Sequence, residues 1–151
     1  LKLKLGIALA DAMALPFHLL DVFTTGAAMT GNQLLVLEDH GDLLSDEQML
    51  GIAREINMAE SAFVRSRDVR IFTIDGEVPQ AGHPVLGLAE VVSGISERES
   101  RVNLLTMKGP ITVSRDSSGR WVMSQDPAEW LGDVSSATLA GLLHTGADAL
   151  A

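Results

Sequence analysis

The sequence predicts an α+β domain in which a mostly antiparallel sheet curls over a helix. Three observations carry that expectation. Short runs with strand-like alternation recur along the chain, bounded by Gly, Asp and Ser turn residues. Two stretches place apolar residues at helical spacing behind recognisable start signals. The 151 residues are 46% hydrophobic with a mean hydropathy of +0.22, enough for one packed domain. Aromatic residues make up only 4% and tyrosine is absent, so the core must be largely aliphatic.

Taken in order, Phe17-His18-Leu19-Leu20-Asp21-Val22-Phe23 reads as a strand, and Leu34-Leu35-Val36-Leu37 as its partner across Thr25-Gly26 to Gly31-Asn32. Ser45 or Asp46 can cap a helix, with Glu47 and Gln48 in the first turn. Met49, Ile52, Ala53 and Ile56 follow at helical spacing, and the helix is expected to end near Asn57. Ala62-Phe63-Val64 and Val69-Arg70-Ile71-Phe72-Thr73 read as short strands joined at Ser66-Arg67-Asp68. Leu86 to Val92 reads as an apolar helix that stops at Ser93-Gly94. Pro84 suits its first position, where a missing N–H has no partner to lose. Arg101 to Thr106 alternates like a strand. Ile111–Arg115 and Arg120–Ser124 read as a hairpin around Asp116-Ser117-Ser118-Gly119. Asp126-Pro127 breaks the regularity, and Ser135 to Leu143 suits a last helix.

Residues 1–16 differ from the rest. Lys2 and Lys4 precede a mostly apolar stretch with small residues at Ala10, Ala12 and Ala14, which has the outline of a secretory signal. Asp11 interrupts it, and the preferred reading is an appended segment. The net charge of −9 disfavours nucleic acid as a partner. No apolar run is long enough to span a bilayer, so no membrane contact is expected and the expected location is the cytoplasm. The absence of cysteine removes disulfides, thiolate metal sites and thiol catalysis together. His18, His40 and His144 show no ligand spacing, so no metal site is expected. Gly82 and Gly87 lack the Lys-Ser/Thr of a phosphate loop.

The chemistry concentrates where a strand hands over to a helix, at Gln80-Ala81-Gly82-His83-Pro84-Val85-Leu86-Gly87. Free N–H groups of a first helical turn favour an anion. Gly82 lets a ligand approach the backbone, and His83 can meet a small carboxylate. Upstream, Ile56-Asn57-Met58-Ala59-Glu60-Ser61-Ala62-Phe63-Val64 places one acid between a helix end and a strand. A third stretch, Met29-Thr30-Gly31-Asn32-Gln33, follows Leu19 to Thr24.

Together and in this order, these elements resemble the PhzF-like isomerase family of phenazine biosynthesis, closely from Phe17 to Val92 and more loosely to about Asp126. That resemblance implies the diaminopimelate-epimerase fold, here a barrel-like lobe wrapped on a central helix. It makes Glu60 the catalytic acid/base, carrying a proton from one carbon of a dihydro-aromatic amino acid to another without metal or cofactor. His83, Gly82, Asn32 and Ser61 become substrate-binding residues. A carboxylate carries a proton in this way well if burial lifts its pKa toward working pH. Each residue also has a plainer reading: Glu60 as a solvated junction residue, His83 as a helix-start residue satisfying backbone, and Asn32 as a turn residue.

Three positions depart from the family pattern and leave the substrate open. Gln33 stands where Pro is usual, Gln80 where an aromatic is usual, and Val85 where Thr is usual. Related enzymes are two-lobed, and no Gly-x-Asp-x-x-Thr-Gly element of a second lobe is present. His144-Thr145-Gly146-Ala147-Asp148 is too loose a match. The expected organisation is therefore an appended 1–16, a first lobe at 17–126, and at 127–151 the start of a connection to a missing lobe. Such a half is expected to be inactive by itself, and to pair as a homodimer or through an open face. The alternatives are a non-catalytic lobe that binds a small acid or another protein, and a degenerate remnant.

Overall fold

The computed structural model describes residues 2–5, 13–95 and 99–144. Its elements are β1 (Lys2–Leu5), β2 (Met13–Val22), β3 (Asn32–Asp39), α1 (Asp46–Ile56), β4 (Glu60–Arg65), β5 (Val69–Phe72), β6 (Glu77–Val78), α2 (Gly82–Ile95), β7 (Arg101–Thr106), β8 (Gly109–Arg115), β9 (Trp121–Met123) and α3 (Ser136–Leu142). Strands β1 to β6 form one sheet in chain order, and β7 to β9 form a second.

Pairing is antiparallel except between β3 and β4, which run parallel through the α1 crossover. That pair is apolar on both faces because helices cover both. On one side, Leu35, Leu37, Phe63 and Phe72 pack with Met49, Ile52 and Ala53 of α1. On the other, Leu34, Val36, Ala62, Val64 and Ile71 pack with Val85, Leu88, Ala89 and Val91 of α2. Val102, Leu104 and Val113 of the second sheet join this latter cluster, so α2 lies between the two sheets.

A central helix is therefore present, but the sheets do not close into a barrel as expected. On one side they are linked by the Lys108 N–H, which donates to the Pro79 carbonyl at 3.2 Å. On the other, a seam stays open between β2 and β9. Among the described residues, β1 pairs β2 only at Met13–Pro16, so the outer edge of Phe17–Val22 carries no strand. A cavity of about 570 Å³ lies along this seam, lined by Leu20, Val22, Leu86, Gly87 and Trp121 among others.

The expected boundary at residue 16 falls inside β2, and Leu15 is buried in the α1-side core. Ser45 caps α1 in a full capping box with Gln48, and Asn57 ends it in the left-handed conformation (φ 54°, ψ 41°). Pro84 is the third residue of α2 rather than the first. The Val85 N–H donates to the Ala81 carbonyl at 3.2 Å, which makes Ala81 the cap. A proline is still tolerated there, because N–H groups of the first turn lack helical acceptors. Gly87 lets α2 approach the sheet: a Cβ on it would lie 2.4 Å from Leu34 Cδ2. Ser135 caps α3, the last helix that the sequence suggests. The loose second-lobe match lies outside the described residues beyond His144.

Candidate active site

The left-handed turn at Asn57 redirects the chain from α1 into β4 within three residues, and Glu60 opens the strand. Glu60 is paired in register with Leu34 of β3. Strand alternation puts Glu60, Ala62 and Val64 on the face that meets α2. There Glu60 reaches the first turn of the helix. Its Oε2 is 3.5 Å from His83 Nε2, with the two side chains 19% and 7% exposed. His83 Nε2 is buried and has no hydrogen-bond partner. The first turn of α2 contains no acidic residue of its own, so Glu60 brings a carboxylate to the positive end of the helix from outside.

Gly82 is the first helical residue and, with His83, contributes the unpaired N–H groups of that turn. A Cβ on Gly82 would make ordinary contact with Met123 and Gln125 at 3.6 Å, so the small sheet closes over this glycine. Asn32 begins β3 opposite Val22 and shares the face of Leu34. It stands two residues before the partner of Glu60, about 7 Å along the strand. Glu60, His83, Gly82 and Asn32 are thus brought to one end of the α2-facing side. Ser61 is not. Alternation turns it to the α1 side, where it is fully buried and its Oγ has no hydrogen-bond partner.

Beside Gly82 lies an open groove of about 540 Å³ between the 79–82 turn and the second sheet. This size falls in the range of small-molecule sites. Lys108, Gln125 and Asp126 line it together with Gln80 and Gly82, whereas Glu60 and His83 stand outside its lining on the large-sheet side. Lys108 Nζ and Asp126 Oδ2 are 2.5 Å apart, and this bond lowers the Asp126 carboxyl below its ordinary value. The sequence did not mark these residues as a group, since they come from separate turns that only the folded sheet joins. Among the described residues, no cluster of three or more His, Asp or Glu is placed to hold a metal ion, and no helix is long and apolar enough to cross a membrane.

Comparison with known proteins identifies the family and the fold. The chain is 40% identical over 101 residues to a trans-2,3-dihydro-3-hydroxyanthranilate isomerase of Pseudomonas chlororaphis, covering 63% of this chain and 35% of that protein. It is 33% identical over 120 residues to the mouse phenazine biosynthesis-like domain-containing protein 1, covering 71% and 41%. Among solved structures, a predicted epimerase from Pseudomonas aeruginosa superposes with a TM-score of 0.69 at 30% identity, covering 87% of this chain and 51% of that one. A PhzF-family protein from Enterococcus faecalis gives a TM-score of 0.62 at 27% identity, covering 70% and 42%. The chain spans about a third of the length of curated relatives that it matches. A family model described as "Phenazine biosynthesis-like protein" matches residues 20–149, nearly the whole chain. By that match the chain belongs to the phenazine biosynthesis-like, or PhzF, family.

Proposed function

We propose that this chain carries the proton-transferring half of a cofactor-independent isomerase or epimerase acting on a small carboxylate-bearing substrate. The observation that carries the proposal is the Glu60–His83 pair: a carboxylate beside a buried imidazole nitrogen with no other partner, at the start of a helix. A buried unpartnered nitrogen is unusual and calls for a reason. A substrate group lying beside the pair, against His83 Nε2, would supply the missing partner.

In this reading Glu60 accepts a proton from one carbon of the substrate as that C–H bond breaks and the electron pair delocalises toward the adjacent π system. The protonated carboxyl then returns the proton to a second carbon, or to the opposite face of the first. The proton and electron count is unchanged, so the step needs no oxidant. His83 orients the substrate or shares the proton, and the Gly82 and His83 N–H groups meet its carboxylate. Asn32 adds a polar contact from β3. The similarity to enzymes named for trans-2,3-dihydro-3-hydroxyanthranilate supports a dihydroanthranilate-like or amino-acid-like substrate. Proton transfer between carbons is favoured in a cleft closed to bulk water, where the protonated carboxyl still meets single waters and exchanges its proton before returning it, so this half alone is inactive and a second half covers the pair.

The test is deuterium incorporation from D₂O into such a dihydroanthranilate, followed by mass spectrometry. A polypeptide carrying this chain at the length of its relatives should exchange and isomerise the substrate. The 151-residue chain should not, and Glu60→Gln should abolish exchange in the longer protein. Undiminished exchange in Glu60→Gln would sink the proposal. The second reading, a non-catalytic lobe that associates with a partner, is favoured by the exposed Trp130 and Leu131, 77% and 90% accessible. It predicts binding without exchange.

A further inference from the structure

We infer that Asp21 is a positioning residue of the site, holding Asn32 in place through the loop between β2 and β3; this rests on the reading of Asn32 as a substrate contact. The Asp21 carboxylate accepts two consecutive backbone N–H groups from the far end of that loop. Oδ2 accepts from Thr30 at 3.1 Å and Oδ1 from Gly31 at 3.0 Å. Charge-assisted bonds of this kind are the stronger class. They bind the residues immediately before Asn32 to the end of the strand that pairs with it. Asn32 is in register with Val22, and Gln33 with Asp21 itself.

Gly31 is required by this clasp. A Cβ there would lie 2.2 Å from the Val22 carbonyl oxygen and 2.9 Å from Asp21 Oδ1, a backbone contact that cannot be relieved by a side-chain rotation. The remainder of the loop is fastened to the same point. Thr30 Oγ1 accepts from the Thr25 N–H at 3.1 Å and donates to the Ala27 carbonyl at 2.7 Å. Asp21 makes no contact with Glu60 or His83 in this structure; its influence reaches the site through Asn32 alone. Without the carboxylate, Thr30 and Gly31 lose their acceptors, the loop end swings, and the Asn32 amide no longer stands at a fixed distance from Glu60.

The experiment uses the chain labelled with ¹⁵N and 3-hydroxyanthranilate as a stable probe, with affinity read from amide shifts. Asn32→Ala should weaken the probe about three- to tenfold, the range of one neutral hydrogen bond. Asp21→Asn should weaken it by a similar factor, and the double variant should be no weaker than either single one. A merely structural role is separated by the Thr30 and Gly31 amide resonances. In Asp21→Asn these two should shift and lose protection from hydrogen exchange while the α1 resonances stay put, whereas in Asn32→Ala they should keep both. If Asp21→Asn does not fold, Asp21→Ser, which keeps one acceptor, should give the same pattern. Probe affinity unchanged in the Asp21 variant while Asn32→Ala weakens it overturns the inference. Additive losses in the double variant overturn it equally. If Asn32→Ala has no effect but Glu60→Gln still abolishes exchange in the longer protein, the inference falls and the proposed function stands. If the wild-type chain does not take the probe, the inference falls with its premise.

Discussion

Replacing Gly87 by alanine should loosen the contact that sets how closely α2 approaches the sheet. The added Cβ would sit 2.4 Å from Leu34 Cδ2, and Leu34 is fully buried. Carbon atoms in contact prefer about 3.5–4.0 Å, so one partner must yield by more than about 1 Å. Leu20 Cδ1 at 3.2 Å and Val22 Cγ2 at 3.4 Å hinder escape on the β2 side. Overpacking of this kind costs about 1–3 kcal/mol, against which alanine gains about 1 kcal/mol over glycine inside a helix. The net loss expected for Gly87→Ala is therefore about 0–2 kcal/mol. Leu34→Ala removes the obstructing atoms and should cost about 3–4 kcal/mol by itself, within the range for emptying a closed site. In the double variant the new methyl enters the space that Leu34 vacates. It should be more stable than the sum of the two losses by about 1 kcal/mol or more, a coupling beyond the usual additivity error. Equilibrium urea unfolding followed by circular dichroism, with the slope held constant across variants, measures this directly. Additivity to within about 0.3 kcal/mol would show that Gly87 and Leu34 do not meet as described, and with them would go the placement of His83 against Glu60.

Ser61→Ala should leave stability unchanged or raise it by up to about 1 kcal/mol, because the lost hydroxyl is buried without a partner; a clear loss in urea unfolding would reveal a hydrogen bond at this site. Ser45→Ala should lower stability by about 1 kcal/mol through loss of the α1 capping box, read by the same assay. The Ser66 hydroxyl donating to Asp42, and the Ser118 hydroxyl donating to Asp116, hold both carboxyls at about 2 against an ordinary 3.8. Because these values are lower in the folded chain, the two groups stabilise it fully above about pH 4 and lose that effect as pH falls toward about 2. Carbon-detected NMR titration should place both inflections near 2, and inflections near 3.8 would remove the Ser66 and Ser118 contacts.

Much of this fold is legible in the sequence because local signals coincide with the final elements. Ser45 and Gln48 announce α1, Asn57 ends it, and the 116–119 turn separates β8 from β9. Local pattern does not report which strands become neighbours. The parallel β3–β4 pair depends on the α1 crossover, and Ile71↔Val78 pairing makes β6 too short to show alternation. The barrel-like expectation failed at β2, whose apolar outer half looks like any paired strand until its neighbours are counted. At the site, Glu60, His83, Gly82 and Asn32 were recognisable as a family pattern, and folding gathers them. Ser61 belongs to the same pattern, yet the two-residue period of β4 must send it away from Glu60. Asp21 carries no such mark, since an acid near a strand end has many ordinary uses.

Because α2 is clasped between two sheets that share little backbone bonding, it acts as the common keel of the molecule. Neither wall can drift outward without wetting apolar residues of that helix. A slackening among Val102, Leu104 and Val113 therefore loosens the seat of the helix whose opening turn holds His83 beside Glu60. Tautness in the smaller wall thus becomes a condition for the Glu60–His83 geometry at the far edge of the larger one.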